Sequence, residues 1–156
     1  MITAVDSNVL IDVLGRDRRY VASAVAKLEA AASLGPVVVC DVVLAELAPL
    51  FPDVEAMEEF LTRNSIQLEL VSAEVLFDAG HAWHRYTQQR GTSLMCSACG
   101  ARSQPACPQC GEVLRSRQHM VADFIIGAHA MARADRLLTR DRGYYRTYFP
   151  ELRIDG

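Results

Sequence analysis

Two short, largely apolar runs, Ile2 to Val5 and Val37 to Cys40, pass straight into residues that cap helices, Asp6-Ser7-Asn8 after the first and Asp41 after the second. A strand that is apolar at successive positions is buried on both faces, which is the mark of a parallel sheet covered by helices on either side. The pattern between and beyond these runs agrees. Val21 to Leu34 is an alanine-rich helix stopped by Gly35-Pro36. Asp41 opens a helix that carries Glu46, and Asp53 to Arg63 forms another. Ile66 to Val71 alternates as a strand, and Ser72 caps a helix reaching Arg90. After an interruption, a helix runs from His119 to about Arg133, with strands at Arg136 to Thr139 and near Leu152 to Ile154. Strands alternating with helices predict an α/β fold with a central, mostly parallel sheet.

The interruption spans about residues 91–118 and has its own chemistry. Two CxxCG turns, Cys96-Ser97-Ala98-Cys99-Gly100 and Cys107-Pro108-Gln109-Cys110-Gly111, replace the periodic apolar residues. In such a turn two thiolates reach one ion, and the following glycine tolerates a left-handed backbone. Four sulfur ligands select Zn2+ in a closed tetrahedron, so Cys96, Cys99, Cys107 and Cys110 are expected to hold a structural zinc. Only seven residues separate Cys99 from Cys107, which makes the module a minimal one. The competing reading is a pair of disulfides. No signal peptide is evident ahead of Met1-Ile2-Thr3-Ala4-Val5-Asp6, and a reducing compartment disfavours disulfides. Cys40 reads as a small buried hydrophobe.

At 156 residues, 51% hydrophobic and 22% charged, the whole chain is expected to form a single globular domain, 1–156, interrupted by the cysteine segment. No apolar run approaches the roughly 18 residues of a membrane span, so the expectation is a soluble cytoplasmic protein. A net charge of -3 does not advertise nucleic-acid binding. Yet Lys27 is the only lysine among sixteen basic residues, and guanidinium groups pair well with phosphate. A genome rich in arginine codons explains the same bias. Carboxylates gathered around a metal lower the net charge while leaving a basic surface intact, so the sum does not exclude an RNA substrate.

Four acids carry the functional argument: Asp6, Glu46, Asp123 and Asp141. Asp6 falls at the carboxyl end of the first strand, and Asp141 lies just beyond the strand ending at Thr139; in open parallel sheets these ends form the ligand crevice. Glu46 and Asp123 sit on helices among apolar neighbours, where an ionised carboxylate is costly unless paired with a cation or metal. Each has a plainer account, Asp6 as a helix cap, Glu46 as an acid favoured by the helix dipole, Asp141 as a turn residue before Arg142-Gly143. Asp123 is the hardest to explain so, because Val121, Phe124 and Ile125 suggest a largely buried position. Convergence on one divalent ion resolves all four placements.

The segments Val5-Asp6-Ser7-Asn8-Val9-Leu10-Ile11, Val43-Leu44-Ala45-Glu46-Leu47, Ala122-Asp123-Phe124-Ile125-Ile126-Gly127-Ala128-His129-Ala130 and Leu138-Thr139-Arg140-Asp141-Arg142-Gly143-Tyr144-Tyr145 resemble, in order, the four motifs of PIN-domain nucleases. Among these the chain is most similar to the toxins of VapBC toxin–antitoxin pairs. The resemblance implies a three-layer α/β/α fold and a metal-dependent endoribonuclease. It implies that Asp6, Glu46, Asp123 and Asp141 ligate Mg2+ or Mn2+, with Asn8 and Thr139 as polar neighbours. Hard oxygen ligands suit those ions, the opposite preference from the thiolates. The implied products carry a 5′-phosphate and a 3′-hydroxyl, since water rather than the ribose 2′-hydroxyl is the nucleophile. The resemblance also implies homodimers and an antitoxin that covers the acidic cleft. The cysteine segment departs from the family pattern, so its role does not carry over.

Weaker signals surround the acids. Arg140 and Arg142 flank Asp141 and are candidates for RNA backbone contacts, with Asn8 and Thr139 nearby. His119 lies about one turn before Asp123 and Arg117 is close by in sequence; either is a candidate to contact phosphate, and His119 also reads as a cap. Trp83, Tyr86, Tyr144 and Tyr145 offer base stacking, against core packing as the commoner use. Two other functions stay open on the sequence: a housekeeping nuclease that processes ribosomal or transfer RNA, and a zinc-stabilised RNA- or protein-binding module with an inactive acidic site.

Overall fold

The computed structural model describes residues 1–15, 18–89, 93–95, 101–113 and 120–156. Strands β1 (Thr3–Val5), β2 (Val37–Cys40), β3 (Ile66–Glu69), β6 (Arg136–Leu138) and β7 (Ile154–Asp155) form one sheet in the order β3-β2-β1-β6-β7, every neighbouring pair parallel. Helices α1 (Ser7–Val13), α2 (Val21–Leu34), α3 (Asp41–Leu47), α4 (Val54–Arg63), α5 (Ala73–Gln89), α6 (Val121–Arg133) and α7 (Arg142–Tyr148) connect and cover it. The three inner strands are buried at every position, polar Thr3 and Arg136 included, whereas in edge strand β3 only Ile66 is fully buried.

Helix boundaries follow local chemistry. Asp53 accepts from the Ala56 amide (2.8 Å) to cap α4, and Ser72 Oγ accepts from Val75 N (3.3 Å) at the start of α5. α2 ends where Gly35 takes φ +149, and a Cβ there would meet Met1 O at 2.5 Å, so glycine is required twice over. Helix α6 begins at Val121 rather than His119, with Met120 at the cap position. Helix α7 is not announced by apolar periodicity; its short segment reads as a turn after Asp141 until Asp141 is seen to cap it.

The chain crosses from edge strand β3 back to the far side of β1 through α5, the cysteine-rich segment and α6. Strand order therefore reverses between β1 and β6, which opens the crevice at their carboxyl ends. Aromatic packing fixes the helices that rim it. Phe124 on α6 lies 5.0 Å from Tyr144, 5.5 Å from Tyr148 and 5.5 Å from Tyr86, centroid to centroid, tying α6 to α7 and α5. Gly127, next on the same helix, lets the Phe149 ring come so close that an added Cβ would sit 2.3 Å from it. His129 is buried on α6 with Nε2 3.7 Å from Glu69, and burial holds its pKa below the usual imidazole value.

Within the cysteine-rich segment, β4 (Leu94–Met95) pairs antiparallel with β5 (Arg102–Ser103), and Ala106 bridges antiparallel to Val113. Cys96 and Cys99 lie outside the described residues, as do Arg117, His119 and the side chain of Arg142.

Candidate active site

Asp6 follows β1 directly and stands at the N-cap position of α1, but its side chain makes no capping bond. The carboxylate turns instead into the crevice, only 4% exposed. There Oδ2 accepts from Asn8 Nδ2 (2.6 Å), Thr139 Oγ1 (2.6 Å) and Tyr145 OH (3.3 Å), while Oδ1 receives one long bond from Ser7 Oγ (3.3 Å). Among the described residues no Lys, Arg or His forms an ion pair with it. Burial pushes its pKa above the ordinary aspartate value; the Thr139 bond opposes this, and the negative charges of Asp123 and Glu46 add to it. The plainer account of Asp6 as a helix cap therefore fails on geometry.

The other three acids reach the crevice from different elements. Asp141 follows β6 and caps α7 through Oδ1, which accepts from Tyr144 N at 3.2 Å. Asp123, the third residue of α6, accepts from Met120 N through Oδ2 at 2.9 Å. It is half-buried rather than largely buried, because the first turn of α6 projects beyond the core and leaves Val121 exposed. Glu46 is half-buried near the end of α3. The charges of Asp123 and Glu46 act on Asp6, and the hydroxyl of Tyr144 is held above its usual pKa by burial first and also by Asp123 and Asp141. Among the described residues no three His, Cys, Asp or Glu side chains stand close enough to enclose an ion ready-made.

Thr139 connects the two strand ends. Its hydroxyl donates to Asp6 and accepts from Asn8 Nδ2 (3.1 Å) and Asp141 N (3.0 Å), so every hydrogen-bonding direction is used. Asn8 Oδ1 in turn accepts from Arg140 N (3.2 Å). Asn8 and Thr139 thus serve the acids rather than projecting outward. Arg140 is also engaged within the protein: Nε lies 3.0 Å from Asp12 Oδ2, and the guanidinium sits 4.8 Å from the Tyr20 ring centroid. Tyr86, Tyr144 and Tyr145 are buried in the aromatic packing and present no face to a base; Trp83 is partly buried against the core. Sequence reasoning overlooked Tyr145 as a donor to Asp6, and Asp12 and Tyr20 as partners of Arg140. Only the spacing of Asn8 and Asp12, one turn apart on α1, hinted at the last.

The donor set fits a hard divalent cation. Asp6 is a buried carboxylate with no basic partner among the described residues, acted on by further carboxylates, with one oxygen scarcely used. Mg2+ characteristically binds through a few carboxylates and keeps several waters, which suits acids spaced around an open cleft.

The sequence model of the PIN domain matches residues 3–99, more than half of the chain and including Asp6 and Glu46. The chain belongs to the PIN-domain family. Its fold is similar to VapBC2 from Rickettsia felis, whose structure was solved bound to a DNA fragment from its promoter (TM-score 0.62, 18% identity, 99% of this chain and 98% of that one). It is similar also to VapC20 of Mycobacterium tuberculosis, described as a Sarcin-Ricin loop cleaving toxin (TM-score 0.58, 16% identity, covering 97% and 98%). FitAcB from Neisseria gonorrhoeae aligns over 100% of this chain and 97% of its own at TM-score 0.55 and 16% identity. Comparison with curated protein sequences gives no match. No helix among the described residues is long and apolar enough to cross a membrane.

Proposed function

We propose that this PIN domain is a metal-dependent endoribonuclease acting in the cytoplasm as the toxin of a toxin–antitoxin pair. The observation that carries the reading is Asp6: it is buried, faced by Asp123 and Glu46, and it declines the capping role its position offers. A folded chain keeps such a charge where a cation is to be bound. Asp6, Glu46, Asp123 and Asp141 hold Mg2+ or Mn2+ in this reading. The ion, when bound, supplies Lewis-acid polarisation of a phosphodiester and a water of lowered pKa. Thr139, Asn8 and Tyr145 hold Asp6 Oδ2, and Oδ1, with its single long bond from Ser7 Oγ, is the oxygen left for the ion. The backbone amides of Tyr144 and Met120 anchor Asp141 and Asp123 in the same way. In this reading a water activated at the ion, rather than the ribose 2′-hydroxyl, is the nucleophile, so the products carry 5′-phosphate and 3′-hydroxyl ends. End analysis of cleaved RNA tests this. Fragments that accept ligation to a 3′-hydroxyl without prior treatment agree; 2′,3′-cyclic phosphate ends, or cleavage undiminished by EDTA, contradict it.

The toxin role draws support from the shared fold with VapBC2, VapC20 and FitAcB. It brings with it a homodimer and an antitoxin that covers the acidic cleft.

The cysteine segment, in this reading, binds one structural Zn2+ through Cys96, Cys99, Cys107 and Cys110. The described half supports it. Cys107 and Cys110 are free thiols, and Gly111 takes φ +75 just after the turn. Backbone N–H groups of Cys110 and Gln109 point at Cys107 Sγ and hold its pKa below the usual thiol value, favouring the thiolate a metal needs. The paired positions Met95 with Arg102 and Ala106 with Val113 frame the two CxxCG turns at matching offsets.

A further inference from the structure

Asp12 is 3% exposed on α1, and its carboxylate is met by a guanidinium from the opposite side of the crevice. Arg140 supplies it, at 3.0 Å from Nε, and lies over the ring of Tyr20 at 4.8 Å. The same residue is held a second time, through its backbone amide, by Asn8 Oδ1 at 3.2 Å. Asn8 and Asp12 are one helical turn apart, so they present to one face of α1 and grip Arg140 at its main chain and its side-chain end. On either side of Arg140 stand Thr139, which donates to Asp6, and Asp141. Whatever fixes Arg140 therefore fixes the spacing between the two acids at the ends of β1 and β6.

We infer that Asp12 and Tyr20 are positioning residues that act through Arg140 to hold Asp141 and Thr139 in register with Asp6. This rests on the acidic cleft being a divalent-ion site. Arg140 then serves the ion site and not RNA directly. A planar guanidinium suits the task because it accepts a carboxylate at its edge and an aromatic ring at its face, which an ammonium group cannot do together. Asp12 is too buried to touch a nucleic acid, and this separates the two roles for Arg140.

The test is calorimetric titration of Mn2+ into the purified chain, beside steady-state RNA cleavage, for wild type, Asp12→Asn, Arg140→Gln, Arg140→Lys, the Asp12→Asn/Arg140→Gln double variant, Tyr20→Phe and Tyr20→Ala. Expected are losses of about tenfold in Mn2+ affinity for Asp12→Asn and Arg140→Gln, of the size seen when groups that orient metal ligands are removed. The double variant loses no more than either single one. kcat falls with the affinity while KM for RNA holds. Tyr20→Phe matches wild type, and Tyr20→Ala and Arg140→Lys lose part of the affinity. Should Asp12→Asn fail to fold, Tyr20→Ala and Arg140→Lys carry the same comparison from the exposed side of the clamp. A raised KM in Arg140→Gln with Mn2+ affinity intact, and no effect of Tyr20→Ala, overturns the inference in favour of an RNA contact. Wild type that takes up no Mn2+ overturns the ion-site reading as well; wild type and clamp variants that bind Mn2+ equally overturn the clamp alone.

Discussion

Replacing Asp6 by Asn is expected to lower RNA cleavage by about 10²-fold or more, the scale of losing one preorganised electrostatic contact in a site, and at the same time to raise the melting temperature of the metal-free protein. The two effects have one cause. Asp6 Oδ2 accepts from Asn8, Thr139 and Tyr145, and an amide oxygen replaces it without loss of those bonds. What the substitution removes is a buried charge facing Asp123 and Glu46. With the folded-state pKa raised, the native protein holds this proton more tightly than the unfolded chain does. That contribution is fully present below the unfolded value of about 3.9 and is lost as pH rises through the raised folded value. Wild type therefore falls further behind Asp6→Asn as pH rises from about 3.9 towards neutral. A gap of about 1 kcal/mol corresponds to roughly 2–4 °C for a chain of this size. Thermal melts of both proteins in EDTA across that range check the sign; an Asp6→Asn that melts lower than wild type at neutral pH contradicts it.

The second large effect concerns the cysteine turns. Cys107→Ser is expected to abolish stoichiometric zinc and to lower the melting temperature by about 5–10 °C, equivalent to roughly 2–3 kcal/mol. The segment leads directly into Met120 and Asp123, so loosening it releases the start of α6 and cleavage falls with stability. Metal analysis of the purified chain, with melts of Cys96→Ser and Cys107→Ser, decides the matter. Unchanged melting and cleavage in both variants would falsify the structural-zinc reading.

How legible all this was depends on how local the information is. The buried strands and the alanine-rich α2 were plain because an unbroken apolar run or a capped helix is written in consecutive residues. Asp6 and Asp141 point to the crevice from sequence because strand ends are where an open parallel sheet binds. The limits of α6 and the existence of α7 were less visible: Met120 is no typical cap, and α7 is held by one aspartate and by aromatic rings from α5 and α6. The same non-local packing buries Tyr86, Tyr144 and Tyr145, three rings that in sequence are equally good stacking platforms. Arg140 reads as a phosphate ligand next to Asp141, and its pairing with Asp12, 128 positions earlier, is signalled only by the one-turn spacing of Asn8 and Asp12 on α1.

If Asp6, Glu46, Asp123 and Asp141 form one divalent-ion site that cuts RNA, cleavage depends on the ion and on each acid. The most direct measurement is cleavage of a mixed pool of structured RNAs by purified protein freed of any antitoxin, with Mg2+ or Mn2+ added, with EDTA, and with Asp123→Asn in place of wild type. Cutting that requires both the ion and Asp123 is the predicted result. RNA that is bound yet left whole in either ion, or cut equally by Asp123→Asn, contradicts the account.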